Sequence, residues 1–298
     1  MDNLAPIVLF VYNRIEHTKR TVEALLKNDL ASESELYIYS DGPKEGAQDK
    51  VDGVREYIRT IKGFKNVYIH EHEKNWGLAD SIIAGVTEVI QIHGKIIVLE
   101  DDLVCAKGFL CFMNEALDKY KSEKKVFSIT GYSFFSSVDS ENIPDTYFLS
   151  LTSSWSWATW KDRWQYFDGK ATGYMQMRWN HRLRKAFNYD DSYNYYSMIR
   201  NQMKKSGWIA KLLGKTKTDS WAIRWYWSVF RLGGVTLYPR KSFIINEGFD
   251  GSGTHCNNVM GEQFSRTDLG TVDSDMKYED VIEEQDWIRE KVKEVLRG

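Results

Sequence analysis

The chain of 298 residues has little cysteine and little proline. Three cysteines in a chain of this length do not form a disulfide framework, and Cys105 and Cys111 are not at the spacing of a metal finger. We therefore expect reduced, mostly buried thiols. Only four prolines and 28% charged residues argue against long disordered stretches. The composition predicts a folded protein that is long enough for a sizeable core.

The sequence also lacks a charge excess and a membrane-length apolar run. Lys and Arg total 40 against 42 Asp and Glu, a net charge of −2, so no global basic field attracts nucleic acid. The N-terminal apolar run, residues 5–12, has the length of a strand and lacks the basic leader and cleavage site of a signal peptide. We therefore expect a cytoplasmic protein with no nucleic-acid partner.

Strand-like and helix-like segments alternate through the first half of the chain. Apolar runs of strand length begin at residues 7, 36, 67, 95 and 126, and helical patterns separate them. Strand–helix units of about thirty residues imply right-handed crossovers and a mostly parallel sheet. The expected fold class is therefore α/β, with ligands at the carboxyl ends of the strands.

After Gly131 the alternation stops and the composition changes. The segment 153–167 is dense in tryptophan, and residues 178–224 contain 11 Lys or Arg against 3 Asp or Glu. Such a basic stretch is ordinarily a solvated face, and its functional interpretation is attraction to an anionic acceptor at a membrane surface. No linker is visible, so we expect halves 1–135 and 136–298 to pack on each other as a single domain.

Trp155 and Trp157 belong to the tryptophan-rich segment, whose spacing predicts an irregular turn that runs into a helix. Part of this series must be core. Tryptophan faces also stack on sugar rings, so both residues are candidates for an acceptor groove.

Three consecutive carboxylates, Glu100, Asp101 and Asp102, follow a fully apolar strand. Crowding like charges costs free energy unless a cation or hydrogen-bond donors neutralise them. Oxygen ligands of this kind suit Mg²⁺ or Mn²⁺, which could bridge a substrate diphosphate. The alternative is that the acids only favour the N-terminus of the following helix. Their position and density favour the metal.

Four segments together resemble a known family. They are Asn13-Arg14 after the first strand, Asp41-Gly42 after the second, Asn75-Trp76-Gly77-Leu78 at a helix start, and Leu99-Glu100-Asp101-Asp102 after the fourth. This pattern resembles the GT-A glycosyltransferases, and the N-terminal half is similar to their family-2 nucleotide-sugar transferases. The Glu-Asp-Asp form of the metal motif is more similar to the N-acetylglucosaminyltransferase I family. The resemblance extends over roughly residues 5–135.

This resemblance implies roles for the first-half residues. Asp102 would bind the metal, Asp101 would contact the ribose or the donor sugar, and Glu100 would make further hydrogen bonds to the sugar. Asp41 would accept from the N3–H of uracil if the donor is a UDP-sugar, although its place in Asp-Gly-Pro equally suits a turn. Arg14 would lie near the nucleotide or its phosphates, unless it forms a surface ion pair with a neighbouring carboxylate.

Asn75, Gly77 and Asp80 would form part of the donor-side loop, where glycine allows a close backbone approach. The plain alternative is a helix start with Asn75 as N-cap. In the second half, the resemblance implies that Asp219 is the general base for the acceptor hydroxyl, whereas an N-cap role remains open. His255, in a glycine-rich loop, would be an additional neutral metal ligand, although a lone histidine is more often structural.

The expected function is transfer of a sugar from a nucleotide-diphosphate donor, most simply a UDP-sugar, to a glycan or lipid-linked acceptor in polysaccharide biosynthesis. The expected cofactor is Mn²⁺ or Mg²⁺, the outcome is inversion, and the enzyme would contact the inner membrane face peripherally. A nucleotidyltransferase is one alternative, but no glycine-rich phosphate loop follows the first strand. A non-catalytic carbohydrate-binding protein is the other, and it would not need the carboxylate triplet.

Overall fold

The computed structural model describes residues 3–135, 142–206, 220–251, 269 and 276–298. The strands are β1 (Ile7–Val11), β2 (Glu35–Ser40), β3 (Asn66–Glu71), β4 (Lys95–Glu100), β5 (Leu103–Cys105), β6 (Val126–Thr130), β7 (Thr146–Leu149), β8 (Trp157–Trp160), β9 (Val235–Pro239) and β10 (Ile244–Asn246). The helices are α1 (Ile15–Leu26), α2 (Gln48–Ile58), α3 (Leu78–His93), α4 (Phe109–Lys119), α5 (Lys161–Trp164), α6 (His181–Phe187), α7 (Tyr195–Ser206), α8 (Ala222–Arg231) and α9 (Asp286–Arg297).

An eight-stranded sheet in the order β3-β2-β1-β4-β8-β6-β9-β7 forms the centre of the molecule. The first four of these strands are parallel, so their carboxyl ends meet at one edge of the sheet. β6 and β9 are also parallel, whereas β8 and β7 run antiparallel to their neighbours. The predicted α/β fold with a mostly parallel sheet is confirmed.

Apolar residues of the central strands are buried by helices on both faces of the sheet. β1 is an unbroken run of β-branched, leucine and phenylalanine side chains, and every one of them is buried. One face packs against α1 and α4, and the other packs against α3 and α8. Each such side chain contributes about 1.5–3 kcal/mol when it is fully buried. The resulting rigid sheet fixes the positions of the loops at its carboxyl edge.

The tryptophan-rich segment differs from its prediction. Residues 157–160 form a strand in the middle of the sheet, between β4 and β6, before the short helix α5 begins. A spacing of three residues places Trp157 and Trp160 on opposite faces of a strand, and each fills the core on its own side. The period of the tryptophans therefore reflects a strand with two covered faces, not a turn. A second unpredicted strand, β7, lies in the part of the chain after Gly131, where the predicted alternation of strands and helices stops.

Candidate functional site

A cavity of about 610 Å³ lies at the carboxyl ends of β1, β2 and β4. Its volume is typical of a small-molecule site. The structure brings most of the predicted site residues to its wall, namely Arg14, Asp41, Asn75, Gly77, Glu100, Asp101, Asp102 and Trp155. Lys44, Met198, Ser220, Trp221, Asn246 and Phe249 also line it, and sequence reasoning did not single them out.

Arg14 and the carboxylate triplet form one partly buried charge cluster, in which Asp101 is the most buried residue. Arg14 Nη2 donates to Asp102 Oδ2 at 2.8 Å and also to Asp101 Oδ1. Arg14 therefore forms its ion pairs within the cavity wall, while Glu16, its acidic neighbour in sequence, pairs with Lys19 on α1. Arg14 follows β1 and the triplet follows the adjacent parallel strand β4, so the sheet order itself places these opposite charges together.

Burial changes the protonation of this cluster. Burial, reinforced by Asp102 and Asp101, raises the pKa of Glu100 well above its ordinary value. Burial also raises the pKa of Asp101, although the Arg14 guanidinium opposes the shift. For Arg14, burial opposes the charged form, but Asp101 and Asp102 outweigh it and raise the pKa of the guanidinium. The raised pKa keeps Glu100 largely protonated at neutral pH, so the ionised groups are Asp101 and Asp102 against Arg14, and this excess of negative charge attracts a cation.

The donor set of the triplet fits a hard divalent cation. Asp101 Oδ2 is buried and has no hydrogen-bond partner within the described part of the chain. An ionised carboxylate oxygen in this state requires a cation or a donor. Across those same residues, no group of three acidic, histidine or cysteine side chains is arranged to hold a metal without other ligands. Mg²⁺ commonly binds through one or two carboxylates, with water and substrate phosphate completing its shell.

Asp41, at the end of β2, organises the loop that precedes α3. Its Oδ1 accepts from the backbone N–H of Gly42 and of Trp76, both at 2.8 Å. Its Oδ2 accepts from Asn75 Nδ2 at 3.0 Å and from the N–H of Gly77 at 2.9 Å. A carboxylate has about four acceptor positions, so protein donors already occupy this one. The geometry therefore supports the turn-organising interpretation of Asp41.

Two glycines make this close arrangement possible. A Cβ at Gly42 would lie 2.3 Å from the backbone carbon of Lys74. Gly77 has φ of 82°, a conformation that side-chain-bearing residues rarely adopt, and it directly precedes α3. Asp80 lies in the first turn of α3 but is not among the residues that line the cavity. Asn75 and Gly77 thus shape the cavity wall through Asp41.

The segment after β10 closes one side of the triplet. β10 pairs antiparallel with β5, directly after the triplet, and the N–H of Glu247 donates to the carbonyl of Asp102 at 2.9 Å. A Cβ at Gly248 would lie 2.3 Å from Asp102 Oδ2. His17 Nε2 on α1 lies 3.1 Å from Asp250 Oδ2, so the same segment also lies beside α1. Sequence reasoning missed these contacts because β5 and β10 are only three residues long.

The two candidate acceptor tryptophans occupy different environments. Trp155 lines the cavity and packs edge-on against Phe249, with ring centroids 5.5 Å apart. Trp157 is 0% exposed and stacks on Trp221 at 4.9 Å. A side chain without exposed surface cannot stack on a sugar, so the acceptor assignment of Trp157 is corrected to a core role. The side chain of Trp221 hydrogen-bonds to Glu100 and links that core to the triplet.

Asp219 and His255, the candidate base and the candidate extra metal ligand, lie outside the described residues. The described residues resume directly after Asp219, and this stretch ends at Gly251, four residues before His255. Ser220 and Trp221 line the cavity, as does Phe249 before the glycine-rich loop. The predictions for Asp219 and His255 therefore remain predictions.

An α/β sheet with an acidic cavity at the carboxyl ends of its parallel strands is typical of a nucleotide-binding enzyme. The family model described as glycosyl transferase family 2 matches residues 7–176, more than half of the sequence. The chain therefore belongs to glycosyl transferase family 2, as its resemblance to the GT-A enzymes predicted. No curated protein matches the sequence significantly.

Several solved structures are similar to this chain, which spans less than half the length of the first two. The mannosyltransferase PcManGT from Pyrobaculum calidifontis, in complex with GDP-Man and Mn²⁺, is 11% identical over 53% of this chain and 45% of its own, with a TM-score of 0.38. TarS of S. aureus is 14% identical over 42% of this chain and 21% of its own, with a TM-score of 0.31. Mouse xyloside xylosyltransferase 1 in its apo form is 13% identical over 76% of this chain and 81% of its own, with a TM-score of 0.35. At these scores, no donor or acceptor is inferred from these proteins.

Proposed function

We propose that this chain is a glycosyltransferase that uses a nucleotide-diphosphate sugar, with Mn²⁺ or Mg²⁺ held at Asp102 and His255, and that it transfers the sugar with inversion. Asp101, which the resemblance assigned to the ribose or the donor sugar, is a further candidate ligand of the metal. The observation that carries the proposal is the cavity at the strand ends, where Asp101 Oδ2 is buried without a partner in the described chain. The carboxylates of Asp101 and Asp102, opposed by the single guanidinium of Arg14, support a cation there. When bound, such a cation would neutralise charge on the departing diphosphate.

The chain's own residues supply the remaining chemistry in this proposal. Arg14 and Lys44 line the cavity and provide positive charge for the diphosphate. Asp41 shapes the nucleotide side through Asn75 and Gly77, and it reaches the base only if one of its present donors is displaced. Asp219 takes the proton of the acceptor hydroxyl, which gives inversion without a covalent intermediate.

The donor and the metal can be identified by one ligand screen. We expect one nucleotide class among UDP-, GDP-, CMP- and dTDP-sugars to raise the melting temperature, and only when Mn²⁺ or Mg²⁺ is present. Asp102→Asn should remove the shift, whereas Asp118→Asn, an exposed acid on α4, should keep it. Donor binding that is equal with and without metal would contradict the metal assignment. His255→Ala should weaken metal-dependent binding, and excess Mn²⁺ should partly restore it.

We also propose that the acceptor is presented at a membrane surface. Trp179 is 77% exposed, and the guanidinium of Arg178 lies 4.9 Å over its ring. Residues Tyr174–Arg178, directly before Trp179, contact α7, and the exposed Met198 of α7 lines the cavity. An exposed tryptophan beside basic side chains suits an anionic headgroup layer. Within the described ranges, no helix has the length and apolarity needed to cross a bilayer.

Vesicle sedimentation tests this surface. We expect binding to vesicles that contain phosphatidylglycerol and little binding to pure phosphatidylcholine. Trp179→Ala should reduce the binding, whereas Trp287→Ala, which removes another exposed tryptophan on α9, should not. Equal binding by both variants would contradict the proposed membrane contact at Trp179.

A further inference from the structure

Arg14 forms hydrogen-bonded ion pairs with Asp101 and Asp102, the carboxylates that a divalent cation would use. We propose that Arg14 acts as the resident cation of the donor-free enzyme and leaves Asp102 when the metal and the diphosphate enter. This inference rests on the proposed function, because it concerns the same site. It adds a side-chain exchange that couples metal binding to donor binding.

Only one of the two terminal nitrogens of the Arg14 guanidinium is hydrogen-bonded within the described residues. Nη2 serves both Asp101 and Asp102, while Nη1 is buried and has no acceptor among the described residues. The side chain is only 18% exposed, so water compensates this nitrogen poorly. A guanidinium normally satisfies planar anions with two parallel donors. An incoming diphosphate would offer acceptors to Nη1 that the resting cluster does not.

The metal and the guanidinium compete for the same oxygen. Asp102 Oδ2 accepts from Arg14 Nη2 at 2.8 Å, which is the distance of a charge-assisted bond. A divalent cation on this oxygen would lie within a few ångströms of the guanidinium, where two positive charges repel strongly in a partly buried site. The repulsion disappears if the guanidinium moves to the anion that arrives with the metal.

The backbone around Arg14 confines the exchange to its side chain. Arg14 is the N-cap of α1, and its carbonyl accepts from the N–H of Thr18 at 3.0 Å and from the Thr18 hydroxyl at 2.9 Å. The Thr21 hydroxyl donates to the Asp101 carbonyl at 2.9 Å and fixes α1 to the triplet. Both backbones are therefore anchored, and rotation about the side-chain bonds of Arg14 is the movement that remains.

A fixed supporting role for Arg14 makes the opposite prediction. If Arg14 only orients the carboxylates, its removal disorders the metal site and weakens metal binding. If Arg14 competes with the metal, its removal frees Asp102 and strengthens metal binding in the absence of nucleotide. Under the exchange, the same removal weakens binding of the nucleotide diphosphate, because the anion loses its arginine.

The test is Mn²⁺ binding by isothermal titration calorimetry, without nucleotide. Arg14→Met should bind Mn²⁺ about tenfold more tightly than the unmodified enzyme, because the Asp102 carboxylate is then no longer occupied by the guanidinium. With Mn²⁺ saturating, it should bind UDP or GDP about tenfold more weakly. Lys19→Gln removes an exposed charge from the same helix and should change neither. Mn²⁺ binding by Arg14→Met that is unchanged or weaker overturns the exchange.

A structure of the unmodified enzyme with Mn²⁺ and UDP or GDP gives a second test. This test needs no variant, so it stands even if Arg14→Met does not fold. Arg14 Nη2 should lie beyond hydrogen-bond distance of Asp102 Oδ2 and should contact the diphosphate. Metal on Asp102 with the Arg14 bond intact would overturn the exchange and leave the proposed function standing. The proposed metal site fails separately if the unmodified enzyme and Asp102→Asn bind Mn²⁺ equally.

Discussion

The carboxylate of Asp41, at the end of β2, accepts a hydrogen bond of 2.9 Å from the backbone N–H of Gly77, at the start of α3. Together with its bonds to Gly42, Asn75 and Trp76, this contact ties a strand end to a helix start across one wall of the cavity. Asp41 is 6% exposed, so water cannot replace a lost partner easily. Asp41 therefore connects stability with the shape of the nucleotide side.

Asp41→Asn should lower the free energy of unfolding by about 2–3 kcal/mol, because an amide N–H₂ would face backbone donors in a buried place. Denaturant unfolding measures the change. Asp49→Asn, an exposed acid on α2, should change stability by no more than about 0.5 kcal/mol. Equal stability of the two variants would show that the network around Asp41 is not structural, and a loss of donor affinity alone would restore its role in reading the base.

Gly248→Ala should impair metal-dependent donor binding more than stability. The new Cβ would lie 2.3 Å from Asp102 Oδ2, so that carboxylate must move from its present position. We expect donor affinity in Mn²⁺ to fall by about tenfold, which corresponds to about 1.4 kcal/mol. Calorimetric titration with the donor measures it. Gly53→Ala, in the interior of α2, should leave donor affinity unchanged and raise stability by about 0.5–1 kcal/mol. Similar donor affinity in both variants would remove Asp102 from the metal site.

Asp219→Asn should lower turnover by about 10²–10⁴ if Asp219 is the general base, because the amide cannot take the acceptor proton. Donor binding should change little, since the base acts on the acceptor. Steady-state turnover and calorimetric donor affinity separate these effects. Full activity of this variant would assign the base to another acid, and a product with retained anomeric configuration would contradict the inverting mechanism.

The metal-free enzyme should lose stability as the pH rises from about 4.5 to about 8, and Mn²⁺ should oppose that loss. Burial and the neighbouring Asp102 and Asp101 raise the pKa of Glu100 from 4.5 to about 8 in the folded protein. Stability from a group with a raised folded pKa is complete below its unfolded pKa and is lost as the pH passes through the folded pKa. Metal binds the deprotonated carboxylates, so the shift in melting temperature caused by Mn²⁺ should grow with pH. A shift that is independent of pH would contradict metal binding at this cluster.

Sequence patterns predicted the parts of the fold that follow from local chemistry. Apolar runs and helical periodicity placed the first four strands within a residue or two of their observed positions, and the parallel order then brought Arg14 to the triplet. The role of Trp157 was wrong because a tryptophan suits a core and a sugar platform equally well, and only its pairing with β4 separates the two. Gly248 could not be identified, since its contact with Asp102 depends on the pairing of two very short strands.

Turnover by Asp102→Asn in saturating donor and acceptor, titrated with Mn²⁺, tests the central claim most directly. The substitution keeps the size of the side chain, leaves Asp101 with Arg14, and removes the charge that a cation needs. We predict a loss of about a thousandfold or more that added Mn²⁺ does not restore, because metal stabilisation of the leaving diphosphate contributes several kcal/mol. Near-normal turnover by this variant, with or without Mn²⁺, would contradict the account.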